Sequence, residues 1–367
     1  MDRFVVVWLW RVAIVLGLVA GLAVSSAGGA PVARCYRVPT PKLPLGNGLN
    51  GVAAVSPRDA WAVGYQRHFS PDAGSLIEHW DGQTWNVQPS PSPPGTYGSF
   101  LAGVTATSPR NAWAVGDANR RALIEHWDGR AWKLQAIPRP RQSQLVAVAA
   151  TSPRNAWAVG TVDSHSLILH WNGTAWTVQA RAKFVNVAFT ALTATSTRDA
   201  WLVGQLRLGN ANSSQVRPFI AHWDGKAWKV QPSPRNPLPF HPDRGDVGEV
   251  NELAGISAIS STNVWAVGNY AVTTVHGAVT ASGGLIEHWN GRTWQLRKFP
   301  QYAGMTGIAA SSSSGVWITI NGGIGHWNGR AWTDLWTPGG LSGLAATPAG
   351  GIWAVGYDGS ALALRCH

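Results

Sequence analysis

Beyond residue 48 the chain is written in short runs of Val, Ala, Ile, Leu and Trp bounded by Gly, Pro, Asn and Asp. The first unit reads LNGVAAVS, a Pro-Arg-Asp turn, AWAVG, a variable stretch, SLIEHW, an Asp-Gly turn and TWNVQ. Short apolar runs cut by turn formers describe strands and hairpins. After residue 31 no segment carries a sustained helical period with caps, so the pattern predicts an all-β chain.

The pattern repeats. The phrase around AWAVG returns with leading tryptophans at Trp61, Trp113, Trp157, Trp201, Trp265, Trp317 and Trp353, between 36 and 64 residues apart. Repeats of this length, each with four short strands and an aromatic motif, predict a β-propeller. Seven four-stranded blades close a ring with no free sheet edge.

A second phrase, His-Trp-(Asp/Asn)-Gly-x-x-Trp, follows in six of the units and begins with His79, Trp80, Asp81, Gly82 and Trp85. Asp-Gly and Asn-Gly are strong hairpin signals, because Gly accepts positive φ and Asn or Asp tolerates it. Asp81, Asp128 and Asp224 alternate with Asn172, Asn290 and Asn328, a swap that a turn former survives and a catalytic carboxylate does not. The flanking tryptophans are expected to face each other across the hairpin or to pack on the neighbouring blade. The six repeat histidines stand at equivalent places in different blades and cannot converge on one metal ion. Each is expected to join its own tryptophan and the Ser or Asp of the preceding turn, such as Ser56 and Asp59.

This pairing of WAVG with LIEHWDGQTW resembles the repeats of Asp-box (BNR, sialidase-type) propellers. It is most similar to the photosystem II assembly-factor-like propellers, whose blades couple a W-A-V-G strand to an Asp-Gly hairpin ending in Thr-Trp. The resemblance spans residues 49–365 and departs in one respect: the family box separates Asp from Gly by one residue, whereas here they are adjacent. It implies a scaffold used by both hydrolases and binding proteins, with assembly of a membrane complex as one expectation.

Residues 1–30 read as a targeting segment, with a short charged start, the apolar stretch FVVVWLWRVAIVLGLVAGLAV and small residues at Ala27 and Ala30 for cleavage. An uncleaved anchor over residues 4–24 is the alternative, weakened by Arg11. Either reading exports the remainder: a closing strand and linker over 31–48 and the propeller over 49–367. The formal charge of +11 suits an anionic partner such as a cell-wall polymer, or simple solubility.

The seventh unit offers only three strands, LSGLAAT, GIWAVG and ALALRCH, while ARCYRVPTP near the start resembles a fourth. In that alignment Cys366 stands at the place of Trp80, Tyr36 near the place of Trp85, and Cys35 beside the place of Trp85. The chain has 2 cysteines. An exported even pair reads as a Cys35–Cys366 bridge completing blade seven, against two free thiols or a bond to another chain.

In a propeller the first-to-second and third-to-fourth strand turns share one face. Here these are short and uniform, and carry a ring of arginines beginning with Arg58 and Arg110. The opposite face takes the long irregular segments, with the greatest variety on blades four and five. Binding residues favour loops on a rigid scaffold, and the candidates there are Arg207, Arg217, Phe240, His241, Asp243, Arg244, Glu249, Tyr270 and His276. The stretch between Asn269 and Ser282 reads as a loop that the scaffold does not need. No metal-ligand spacing, nucleophile elbow or phosphate loop is written in the chain, so neither a cofactor nor a metal is expected. A glycosidase needs two carboxylates at a defined separation, and acids on the variable face are few. The expectation is a monomeric, non-enzymatic exported propeller that binds a protein or polysaccharide and no nucleic acid. A glycan hydrolase or lyase is the alternative.

Overall fold

The computed structural model describes residues 33–43, 46–66, 74–91, 98–138, 142–163, 165–181, 184–208, 215–234, 246–274, 279–298, 304–348 and 350–367. Residues 1–30, read from sequence as a targeting segment, lie outside these residues, and among the described ones no helix is long and apolar enough to cross a membrane. The described residues form 28 strands. They group into seven blades of four, those of blades four and five joined into one eight-stranded sheet. The chain is a β-propeller.

Blade one shows the plan: an inner strand Gly48–Ser56, then Asp59–Gln66, Gly74–Trp80 and an outer strand Trp85–Val87, each antiparallel to the last. The inner strands carry a bulge at the axis, seen as register shifts at Leu49/Gly51, Leu101/Gly103, Leu145/Ala147 and Leu253/Gly255. This explains the glycine of WAVG. A Cβ built on Gly64, Gly116, Gly160, Gly268 or Gly356 would lie inside the van der Waals sphere of an inner-strand carbonyl oxygen. Blade six, where Ile320 replaces that glycine, confirms the constraint. Its inner strand starts late, at Ile308, and the hydroxyl of Thr319 accepts from the Thr306 and Gly307 N–H groups at 2.9 and 2.7 Å instead.

Between blades the second-strand tryptophan carries the packing. Trp61 lies against Trp127 and Trp132 of the next blade, Trp113 against Trp171 and Trp176, and Trp157 against Trp223 and Trp228. Trp201 meets Trp289 and Trp294, and Trp353 meets Trp80 and Trp85, all with ring centroids 5.0–5.5 Å apart. Both expectations for the tryptophan pair hold, since Trp80 also stands opposite Trp85 in the hairpin register.

On the short-turn face every third-strand histidine stacks on its second-strand tryptophan, at 3.9–4.2 Å between centroids. His126, His170, His222 and His288 also reach Asn111, Asn155, Asp199 and Asn263 at 2.7–2.9 Å. His79 stands 3.5 Å from Asp59. Ser56 has a different role, capping its own turn by accepting from the Arg58 N–H at 3.1 Å. The two turns of a blade are tied by the indole N–H of Trp80, Trp127, Trp171, Trp223 or Trp289, which donates to the facing turn carbonyl at 3.0–3.2 Å.

The turn itself departs from the expected geometry in one detail. The six glycines have φ of 90–98°, but the Asp or Asn before each does not enter the left-handed region. Its carboxylate or amide oxygen instead accepts two backbone N–H groups at 2.8–3.0 Å, as Asp81 does from Gln83 and Thr84 and Asn290 from Arg292 and Thr293. Oxygen is what the position needs, so acid and amide serve alike.

Blade seven is completed by the amino-terminal strand Cys35–Val38, antiparallel to Ala361–Cys366, and a Cys35–Cys366 disulfide is present. The register corrects the alignment by one residue. Cys35 faces Cys366 as Trp85 faces Trp80, so Cys35 itself takes the tryptophan place and Tyr36 pairs with Arg365. Arg365 stands opposite Trp353 where other blades put histidine, and its guanidinium lies 5.7 Å from the Trp353 ring.

Candidate functional site

Blades four and five differ from the rest on the variable face, where their strands run on past the ring. The second and third strands of blade four are Asp199–Leu208 and Gln215–Trp223. The first three of blade five are Asp246–Ser260, Asn263–Thr274 and Val279–Trp289. The segment read as a dispensable loop between Asn269 and Ser282 is therefore strand wherever it is described. Tyr270 pairs with Asn251 and Gly283, and Val272 is buried. The β-branched residues Val272, Thr273, Thr274 and Val279 sustain pairing there, a signal that the missing repeat motif concealed. The Asn269 side chain is structural too. Its amide donates to the Met305 carbonyl at 3.1 Å, and its oxygen accepts from the Gly304 and Met305 N–H groups at 2.8 and 2.9 Å.

Among the described residues the extended strands of the two blades pair in parallel register at Gln215–Glu249 and Val216–Val250. Below that contact they diverge, leaving a cleft of about 470 Å³. Arg217, Pro218 and Leu206 form its blade-four wall and Glu249 and Asn251 its blade-five wall. The inter-blade linker residues Pro232, Ser233 and Pro234 line it as well. Glu249 is oriented by Asn251, whose amide donates to it at 2.7 Å. Arg217 is exposed, so the cleft offers a cation and an anion between apolar proline surfaces.

Ser233 connects the cleft to the core by donating to the buried Glu287 carboxyl at 2.7 Å. Burial pushes the Glu287 carboxyl up to about 7, with the Ser233 bond acting weakly in the other direction. Glu125 stands in the same way under Ser90 at 2.9 Å, its carboxyl raised by burial to about 8. The recurrence marks this arrangement as a feature of the repeat.

Of the nine candidates, Arg217 and Glu249 line the cleft. Arg207 is exposed on the neighbouring strand, and the Tyr270 ring lies over Gly283, where a Cβ would stand 2.8 Å from it. Phe240, His241, Asp243, Arg244 and His276 lie outside the described residues. Asn251 joins the site through strand pairing that no local motif announces, and the Pro-Ser-Pro linker lines it as well.

Three described acids of the variable face have partners of their own. Asp117 accepts from the Arg120 N–H at 3.1 Å, and burial holds its carboxyl above the usual range. Glu252 is likewise raised by burial against a bond from Asn269. Asp358 pairs with Arg37 at 3.0 Å. Among the described residues no group of three His, Cys, Asp or Glu is placed to hold a metal ion.

No protein-family model matches the chain, and no curated protein matches it. Solved structures do match at the level of fold. YCF48 bound to D1 peptide has a TM-score of 0.54 at 13% identity, over 91% of this chain and 96% of that one. YCF48 from Cyanidioschyzon merolae has a TM-score of 0.57 at 15% identity, over 91% and 98%. A streptogramin B lyase structure has a TM-score of 0.59 at 14% identity, over 91% and 97%. Propellers that differ this much in what they do share only the scaffold, so the function must be argued from the cleft.

Proposed function

We propose that the chain is an exported, non-enzymatic propeller that acts as a monomer and holds an extended segment of a partner protein in the cleft between blades four and five. The observation that carries this reading is the cleft itself. Arg217 and Glu249 line opposite walls around the Pro232–Pro234 linker, a setting for a peptide that brings charge of both signs and apolar side chains. YCF48, of the same fold, has been solved with a D1 peptide, which supports a peptide as ligand. The disulfide supports an oxidising compartment, in keeping with a cleaved or anchoring segment over residues 1–30.

A peptide library displayed on phage and selected on the purified chain tests the reading. Selected peptides should carry an acidic residue and lose affinity about tenfold or more on Arg217→Glu, the scale of a charge-assisted bond. Equal binding by that variant would exclude the cleft. Turnover in a parallel polysaccharide hydrolysis screen would favour the hydrolase or lyase reading instead.

A further inference from the structure

The short-turn face of the ring carries free charge of a single sign. The first turns of blades one to four present Arg58, Arg110, Arg154 and Arg198, all exposed. Each is fixed at its base, where its N–H donates to the serine two residues before it at 3.1–3.3 Å. Each stem is also laid across its own blade's hairpin. A Cβ built on Gly82, Gly129, Gly173 or Gly225 would stand 2.8–3.1 Å from that stem. A stem packed in this way leaves its charged head to the solvent, and among the described residues none of the four guanidinium groups enters an ion pair.

The other blades keep the charge by a different route. Blades five and six write Thr262 and Ser314 in the first turn but place Arg292 and Arg330 in the hairpin, and blade seven has Arg34 next to its disulfide. All three arginines are exposed, as are Arg130 and Lys226 in the hairpins of blades two and four. The carboxylates of these turns are engaged within their own blades. Asp81, Asp128 and Asp224 cap the hairpins, the last two with Lys133 and Lys229 at 2.6 and 2.7 Å, while Asp59 and Asp199 face His79 and His222. On the variable face cations and acids are mixed, as in the Arg37–Asp358 pair and in the cleft that holds both Arg217 and Glu249.

We infer that the short-turn face is a docking surface for an anionic lipid bilayer. Turns at equivalent places in a closed ring lie in one plane, and a planar charged surface is the partner that meets a cation of every blade at once. A linear polyanion follows only part of the circle. The attraction grows with each basic residue near the surface and is screened by salt over about 8–10 Å. The chain also enters the ring on this side. Arg34 pairs with His367 beyond the disulfide, and only residues 25–32 separate Ala33 from the apolar stretch 4–24. A bilayer that takes up that stretch meets the ring from the arginine side.

Labelling of arginines in the full chain by phenylglyoxal, read residue by residue by mass spectrometry, tests the surface on phosphatidylcholine vesicles with and without phosphatidylglycerol. The anionic vesicles should slow labelling of Arg58, Arg110, Arg154 and Arg198 about tenfold, and high salt should restore it. Neutral vesicles should leave these four unchanged, and Arg207 on the variable face should react at one rate throughout. A variant with all four arginines changed to Gln should lose about a hundredfold in its preference for anionic over neutral vesicles, a ratio from which the contribution of residues 4–24 cancels. Soluble polyphosphate should protect fewer of the four. Equal protection by neutral vesicles, protection of Arg207 instead, an unchanged preference in the variant, or protection of all four by polyphosphate each overturns the inference. None of these results touches the blade-four cleft, whose test runs through Arg217.

Discussion

Buried carboxyls and imidazoles give the blades opposite responses to pH. Glu78 is fully buried, with neither oxygen hydrogen-bonded among the described residues, and burial raises its carboxyl to about 8. A carboxyl whose folded pKa lies above its unfolded value contributes fully below about pH 4.5 and loses that contribution as the pH rises towards 8. His126, His170, His288 and His326 are lowered by burial. Their contribution is complete above about pH 6.5 and is lost as the pH falls. Thermal melts should therefore peak between about pH 5 and 6. Glu78→Gln should raise the melting temperature at about pH 8 and do little near pH 4.5; equal gains at both would refute a protonated Glu78. At the hairpin, Asp81→Asn should be nearly neutral, while Gly82→Val should cost about 1 kcal/mol or more in denaturant unfolding, since Gly82 has φ of 98° and packs on the Arg58 stem. The alternation of Asp with Asn made the turn legible in sequence. The oxygen cap did not show, because both residues also tolerate the left-handed region.

Strands follow the same logic one level up. Gly356→Ala should destabilise by about 2 kcal/mol or more, since its new methyl would strike the Gly340 carbonyl. Gly340→Ala, on the facing strand opposite Tyr357 with nothing within 4 Å, should be close to neutral. Equal melting temperatures for the two would discard the bulge as the reason for WAVG. Deleting Ala271 to Ala281 should now lower the melting temperature, because it removes the partners of Glu249 and Val250 and the buried Val272. Reading that segment as a loop failed for a definite reason: the repeat motif ends at Gly268, and the pairing beyond it is with residues that follow a long, motif-free linker.

At the scale of the molecule the seven-fold ring was legible, because each blade restates the same turn chemistry and the same tryptophans. The cleft was legible only as a region. Arg217 and Glu249 reach one cleft through a parallel contact between blades, and such contacts leave no period in a sequence. The disulfide closes a separation of 331 residues, worth about 5–6 kcal/mol on the chain-entropy account. Reduction, or Cys366→Ser, should lower the denaturant midpoint without altering the strand content seen by circular dichroism at 25 °C.

That closure also decides how the ring bears a load. Arg34 and His367 exchange backbone hydrogen bonds of 2.9 and 3.0 Å, and the next pair inward is the covalent Cys35–Cys366 bond. Tension applied at the two ends passes through that bond, and the blades behind it carry none. Once it is cut, the load falls end-on upon the strand Cys35–Val38, whose four register pairs with Ala363–Cys366 separate in succession, as a zipper opens. Oxidised, the ring is a closed link that stretching cannot unwind; reduced, it peels from its seventh blade at low force.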